Sequence, residues 1–122
     1  MKTKLVINDD LKVFLHVEKN RATEHTLELE RLYKRDSFDW QWLFRFDNGL
    51  GASVVKFFGS FGFDGGLFEL AVIDWYDDEH FGLNYDTEIT DDVIGYLTND
   101  EVMDLLYKIK NLEGETKNEN QI

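Results

Sequence analysis

No cysteine and no proline occur in these 122 residues. Without cysteine there is no disulfide framework, no thiolate zinc site and no cysteine nucleophile. Without proline, glycine carries the punctuation, and seven of the nine glycines fall between Gly49 and Gly82. Long apolar runs are also missing, so nothing reaches the length of a membrane-spanning helix. The opening "MKTKLVINDD" reaches acids too soon to form a signal-peptide core, so the expected location is the cytoplasm. One further absence is regional. Residues 57–107 contain 13 Asp+Glu and neither lysine nor arginine, whereas residues 1–56 are nearly balanced at 10 Lys+Arg against 9 Asp+Glu. The formal charge of −12 therefore resides in the middle of the chain. Such a field repels nucleic acid and anionic membranes and attracts basic protein surfaces.

What is present suffices for a core. The length fits one domain, and 43% hydrophobic and 15% aromatic residues supply the apolar area. "LKVFLHV" alternates Leu11, Val13, Leu15 and Val17 in the period of a strand. "TLELERLY" (26–33) fits strand or helix. "DWQWLFRF" sets Trp40, Trp42, Phe44 and Phe46 on one face, "DNG" (47–49) signals a hairpin turn, and "GASVVKFF" (51–58) returns. "GLFELAVIDW" (66–75) reads as a central strand covered on both faces, and "HFGLNYD" (80–86) as a shorter one. Thr98 with Glu101 forms a capping-box signature. Val102, Leu105, Leu106 and Ile109 then make one helical stripe. Asp91 and Asp92 are placed to cap a short helical turn in "DDVIGYL". The expected fold is α+β: an antiparallel sheet packed against a C-terminal helix, one domain over 1–112, with a polar tail at 113–122.

Three blocks carry a resemblance. Asn48, Gly49, Gly51, Ala52, Ser53 and Val54 fit N-G-Y-G-A-S-V. Gly66, Leu67, Glu69, Leu70, Ala71 and Val72 fit G-L-W-E-L-A-V. The run from Tyr85 to Leu97 fits Y-D-T-P-I-T-D-D-V-I-G-Y-L. On these blocks residues 43–107 resemble a family of small phage and prophage proteins that has no settled activity. The departures are Leu50, Phe68 and Glu88 where the family has tyrosine, tryptophan and proline. The resemblance implies a phage or prophage origin, inside a bacterial host, and passes on no catalytic residue.

The stretch 73–92 holds eight carboxylates and no basic residue. Asp100, Glu101 and Asp104 have a local reason, since they favour the positive end of a helix, and Asp104 precedes Lys108 at the pairing distance. Asp74, Asp77, Asp78, Glu79, Asp86 and Glu88 have no such reason. They are read either as a solvated face or as a partner-facing surface. Carboxylates alternating along strands lie about 6.6 Å apart, a spacing comparable with a phosphate lattice, so mimicry of DNA is one form of the second reading. Phe58, Phe61 and Phe63 in the glycine-rich "FFGSFGFDGG" (57–66) join that surface if they face outward, and the core if they face inward.

Enzymatic patterns fail one after another. Neither acidic run has EF-hand order. The glycine-rich loop lacks G-K-[ST] and precedes a strand. Ser53 and Ser60 lack a nucleophile elbow, and His16, His25 and His80 lack metal spacing. Asp64 and Glu69 recommend a nuclease only if a lysine stands two residues after the glutamate, where Ala71 stands. Glu69 itself, inside an apolar run, is either a general acid or base with a raised pKa, or a carboxylate that pairs with Arg45 or Lys56 or takes an outward-facing position. The expected function is non-enzymatic and cofactor-free: stoichiometric inhibition of a host nucleic-acid-handling or defence protein, such as a CRISPR effector or restriction enzyme, through the acidic surface. The expected partner is that protein's basic surface, not nucleic acid and not a membrane. Two alternatives stand. One is a ligand-binding protein or enzyme using Glu69 and the glycine-rich loop. The other is a self-associating structural or regulatory phage protein using Trp40, Trp42 and the phenylalanines.

Overall fold

The computed structural model describes residues 5–21, 39–56, 68–87, 89 and 93–112. The readings placed on 26–33, on Phe58, Phe61 and Phe63, on Glu88, Asp91 and Asp92, and on the tail lie outside these residues.

A six-stranded antiparallel sheet packs against a C-terminal helix. The elements are α1 (Asp9–Lys12), β1 (Leu15–Arg21), β2 (Asp39–Arg45), β3 (Leu50–Lys56), β4 (Phe68–Trp75), β5 (Phe81–Leu83), β6 (Ile94–Leu97) and α2 (Asn99–Lys110). Strands β1 to β5 lie in sequence order, and β6 also pairs with β4. β5 pairs with Ile73–Trp75, and β6 pairs through Phe68↔Leu97 and Leu70↔Ile94. They therefore share one edge of β4 as two pieces of an interrupted strand.

Period-two alternation sends Trp42, Phe44, Ala52, Val54, Phe68, Leu70 and Val72 to one face, where all are buried. Helix α2 covers that face with Val102, Met103, Leu106 and Ile109. Its start is a complete capping box: Glu101 N–H donates to Thr98 Oγ1 at 3.2 Å, and Thr98 N–H donates to Glu101 Oε1 at 2.8 Å. Its end is held from another element. Asn48, in the β2–β3 turn, donates through Nδ2 to the carbonyls of Ile109, Lys110 and Leu112 at 2.8, 3.3 and 2.9 Å. The Ile109 carbonyl also accepts the Leu112 N–H at 3.2 Å, so the Asn48 amide adds to the local closure of the helix end. The same turn needs Gly49, whose φ of 86° favours glycine.

Three expectations are corrected. The strand predicted from Leu11 begins only at Leu15, because residues 9–12 form one turn of helix instead, closed by Leu11 and Lys12 N–H donating to the Asn8 carbonyl and with Asp9 and Asp10 at its positive end. Leu11 consequently enters the core and Val13 is exposed. "IGYL" supplies strand β6 rather than a helical turn, since β4 offers an open edge below β5. Tyr96 there adopts φ 60°, uncommon for a residue with a side chain. Asp104 and Lys108 make no ion pair. No helix among the described residues is long and apolar enough to cross a membrane.

Candidate interaction surface

The β4–β5 connection, residues 76–80, lies at the same end of the sheet as the β2–β3 turn and is exposed throughout. It closes because Asp77 accepts three hydrogen bonds: from Glu79 N–H and His80 N–H, both at 2.8 Å, and from the His80 ring Nδ1 at 2.9 Å. Tyr76 N–H donates to the His80 carbonyl at 2.8 Å. The Glu79 amide, then the His80 ring and amide, hold the Asp77 carboxyl below its ordinary value of 3.8.

Asp78 is tied back to the sheet. Its carboxylate pairs with Arg45 of β2, and its carbonyl accepts from His16 Nε2 of β1 at 2.7 Å. Both partners sit around Trp75. The His16 ring meets the indole edge-on at 4.7 Å, Arg45 lies 5.7 Å over it, and Phe81 packs at 5.1 Å. Trp75 Nε1 donates to the Phe44 carbonyl at 2.8 Å. This contact requires glycine at 51, because a Cβ there would stand 2.0 Å from the Phe44 carbonyl oxygen and 2.5 Å from Trp75 Nε1.

Asp74 is also engaged, accepting both bonds from Asn84 Nδ2 at 3.0 and 3.1 Å. Asn84 meanwhile donates its N–H to Val72 at 2.8 Å and accepts the Asp86 N–H at 2.7 Å. Of the six carboxylates singled out in the sequence, Asp74, Asp77 and Asp78 thus have structural partners. Glu79 and Asp86 are exposed, and among the described residues their carboxylates engage no partner. Around them stand Tyr76, 70% exposed, and Leu83 and Tyr85, each 47% exposed. Sequence reasoning missed these three, although both tyrosines lie inside the acidic stretch; an aromatic kept among carboxylates was the available signal. It also missed the basic answer to Asp78, because Arg45 comes from 33 residues away.

The rival sites fall elsewhere. Glu69 lies opposite Val55, on the face turned from α2, so it faces away from Lys56, which is buried over the Phe68 ring at 5.2 Å. Arg45 is engaged with Asp78. Glu69 therefore takes the outward position, half-buried, with its pKa raised by desolvation. Ser53 accepts from Gln41 Nε2 at 3.1 Å, with no histidine on it. Trp42 is fully buried, and Trp40, partly buried, stacks on it at 5.4 Å. A groove of about 640 Å³ lies along α2, lined by Ile89, Leu105, Tyr107, Lys108, Asn111 and Leu112. Among the described residues no group of acids and histidines is arranged to hold a metal ion.

Compared with protein-family models, curated proteins and solved structures, the chain matches none.

Proposed function

We propose that this chain is a non-enzymatic phage or prophage accessory protein that binds a basic surface of a host nucleic-acid-handling or defence protein and blocks it stoichiometrically. The observation that carries the reading is the concentration, on one edge of the sheet, of free carboxylates at Glu79 and Asp86 beside exposed Tyr76, Leu83 and Tyr85. Exposed rings with an acidic rim suit a basic protein patch: the rings supply contact energy, and the charge sets encounter and specificity. The same observation favours such binding over a copy of the DNA backbone. Duplex DNA carries a charge about every 1.7 Å along its axis, whereas Asp74, Asp77 and Asp78 are committed to Asn84, to their own turn and to Arg45.

The test is capture from bacterial lysate with the wild-type chain and with a Glu79→Gln, Asp86→Asn double variant. These substitutions remove charge and leave the hydrogen bonds of the turn in place, which changes at Asp77 or Asp78 would not. A nucleic-acid-handling protein held at about 0.05 M salt, released at about 0.5 M, and lost from the double variant supports the proposal. Identical captures by the two forms, unchanged across that salt range, refute it.

A further inference from the structure

The edge that bears these side chains also has unused backbone groups. In the β4–β5 ladder, Tyr76 N–H donates to His80 and Asn84 N–H donates to Val72, while Asp74 stands opposite Gly82. Residues 80, 82 and 84 therefore direct their N–H and C=O groups at β4. Antiparallel alternation then sends those of Phe81 and Leu83 outward. Among the described residues no hydrogen bond reaches them. Natural sheets guard an open edge with lysine, proline, a bulge or a short strand. The stretch "HFGLNY" (80–85) has neither lysine nor proline, and shortness is its guard. Gly82 lets the Tyr76 ring lie across the strand, its hydroxyl 2.4 Å from where a Cβ would stand. Carboxylates flank both ends, Asp77 and Glu79 before the strand and Asp86 after it.

We propose that the outer edge of β5 accepts a short, extended, lysine- or arginine-rich segment of the partner as an added strand. Main-chain hydrogen bonds to Phe81 and Leu83 would hold the segment, Leu83 and Tyr85 would take its apolar side chains, and the flanking acids would select its cations. Strand addition of this kind gives affinity through the backbone and specificity through alternate side chains. The inference rests on the proposed binding function and adds the form the partner takes.

The probes are an end-blocked hexapeptide alternating lysine with valine, and one of equal charge alternating lysine with proline, which has fewer donors and cannot pair as a strand. The expected result is that the valine peptide binds about tenfold tighter and slows amide exchange at Phe81 and Leu83. Leu83→Pro removes an outward N–H without touching the bonds to β4, and it should abolish the preference. If that variant fails to fold, amide exchange in the wild type decides alone. Equal binding of both peptides with no protection at Phe81 and Leu83 overturns the added strand while leaving the acidic, aromatic surface standing. Absence of binding by either peptide also overturns it, and lysate capture then judges the surface separately.

Discussion

Two turns stand side by side at one end of this sheet, and they are built from opposite chemistry. The β2–β3 turn presents an amide, Asn48, whose Nδ2 serves three carbonyls at the end of α2, while its Oδ1 accepts the Leu50 N–H at 3.0 Å. The β4–β5 turn presents carboxylates, because what it must satisfy are N–H groups. A donor-poor helix end calls for an amide, whereas an exposed loop of free N–H groups accepts an acid. The difference explains why charge collects at one turn and not at its neighbour. Structural demand accounts for Asp74, Asp77 and Asp78 and stops there, leaving Glu79 and Asp86 as the surplus available for binding.

The comparison breaks most sharply at Gly51, on which the second turn depends indirectly. Gly51→Ala forces the Phe44 carbonyl and the Trp75 indole apart, so urea unfolding should show a loss of about 3 kcal/mol, with Trp75 fluorescence changed in the folded state. Next is the amide turn. Asn48→Ala removes the side-chain donor to the carbonyls of Ile109, Lys110 and Leu112 and should cost about 2 kcal/mol by the same measurement. Thr98→Ala, at the other end of the helix, should cost about 1 kcal/mol.

At the acidic turn the expected effect is a change of pH slope. The Asp77 pKa is lowered on folding, so its stabilisation is fully present above the ordinary value of 3.8 and is lost as pH falls through the lowered one. Acid titration of Asp77→Asn should be flatter than that of the wild type in this window. Glu69 has the opposite sign. Its raised pKa means that the ionised form is the disfavoured one, so Glu69→Gln should gain stability relative to wild type as pH rises from about 4.5. The smallest effect belongs to the surplus: Glu79→Gln with Asp86→Asn should alter stability by less than about 0.5 kcal/mol while weakening capture of the partner.

Much of the fold was legible because its signals were local. The stripe and capping box of α2, the alternation of β2 and the Asp47–Gly49 turn each rest on residues within a few positions of one another. Strand β6 was misread because Tyr96 takes a left-handed backbone and the residues that pair with β6, Phe68 and Leu70, lie far back in the chain. The helical opening at Asp9 was hidden by an alternation of leucine and valine that suits a strand equally well. At the surface, the charge was legible and its allocation was not. Which acids are spent on structure depends on His16, Arg45 and Asn84, brought in from β1, β2 and the end of β5, and no spacing rule links Asp78 to a residue 33 positions earlier.

The central claim is that the working surface runs along the β4–β5 edge. Amide hydrogen exchange on the complex with the captured partner tests it most directly. Protection from Tyr76 through Asp86, with the groove of Leu105, Lys108 and Leu112 exchanging as in the free protein, is the predicted result. Protection confined to that groove, or to the sheet face bearing Glu69, would contradict it.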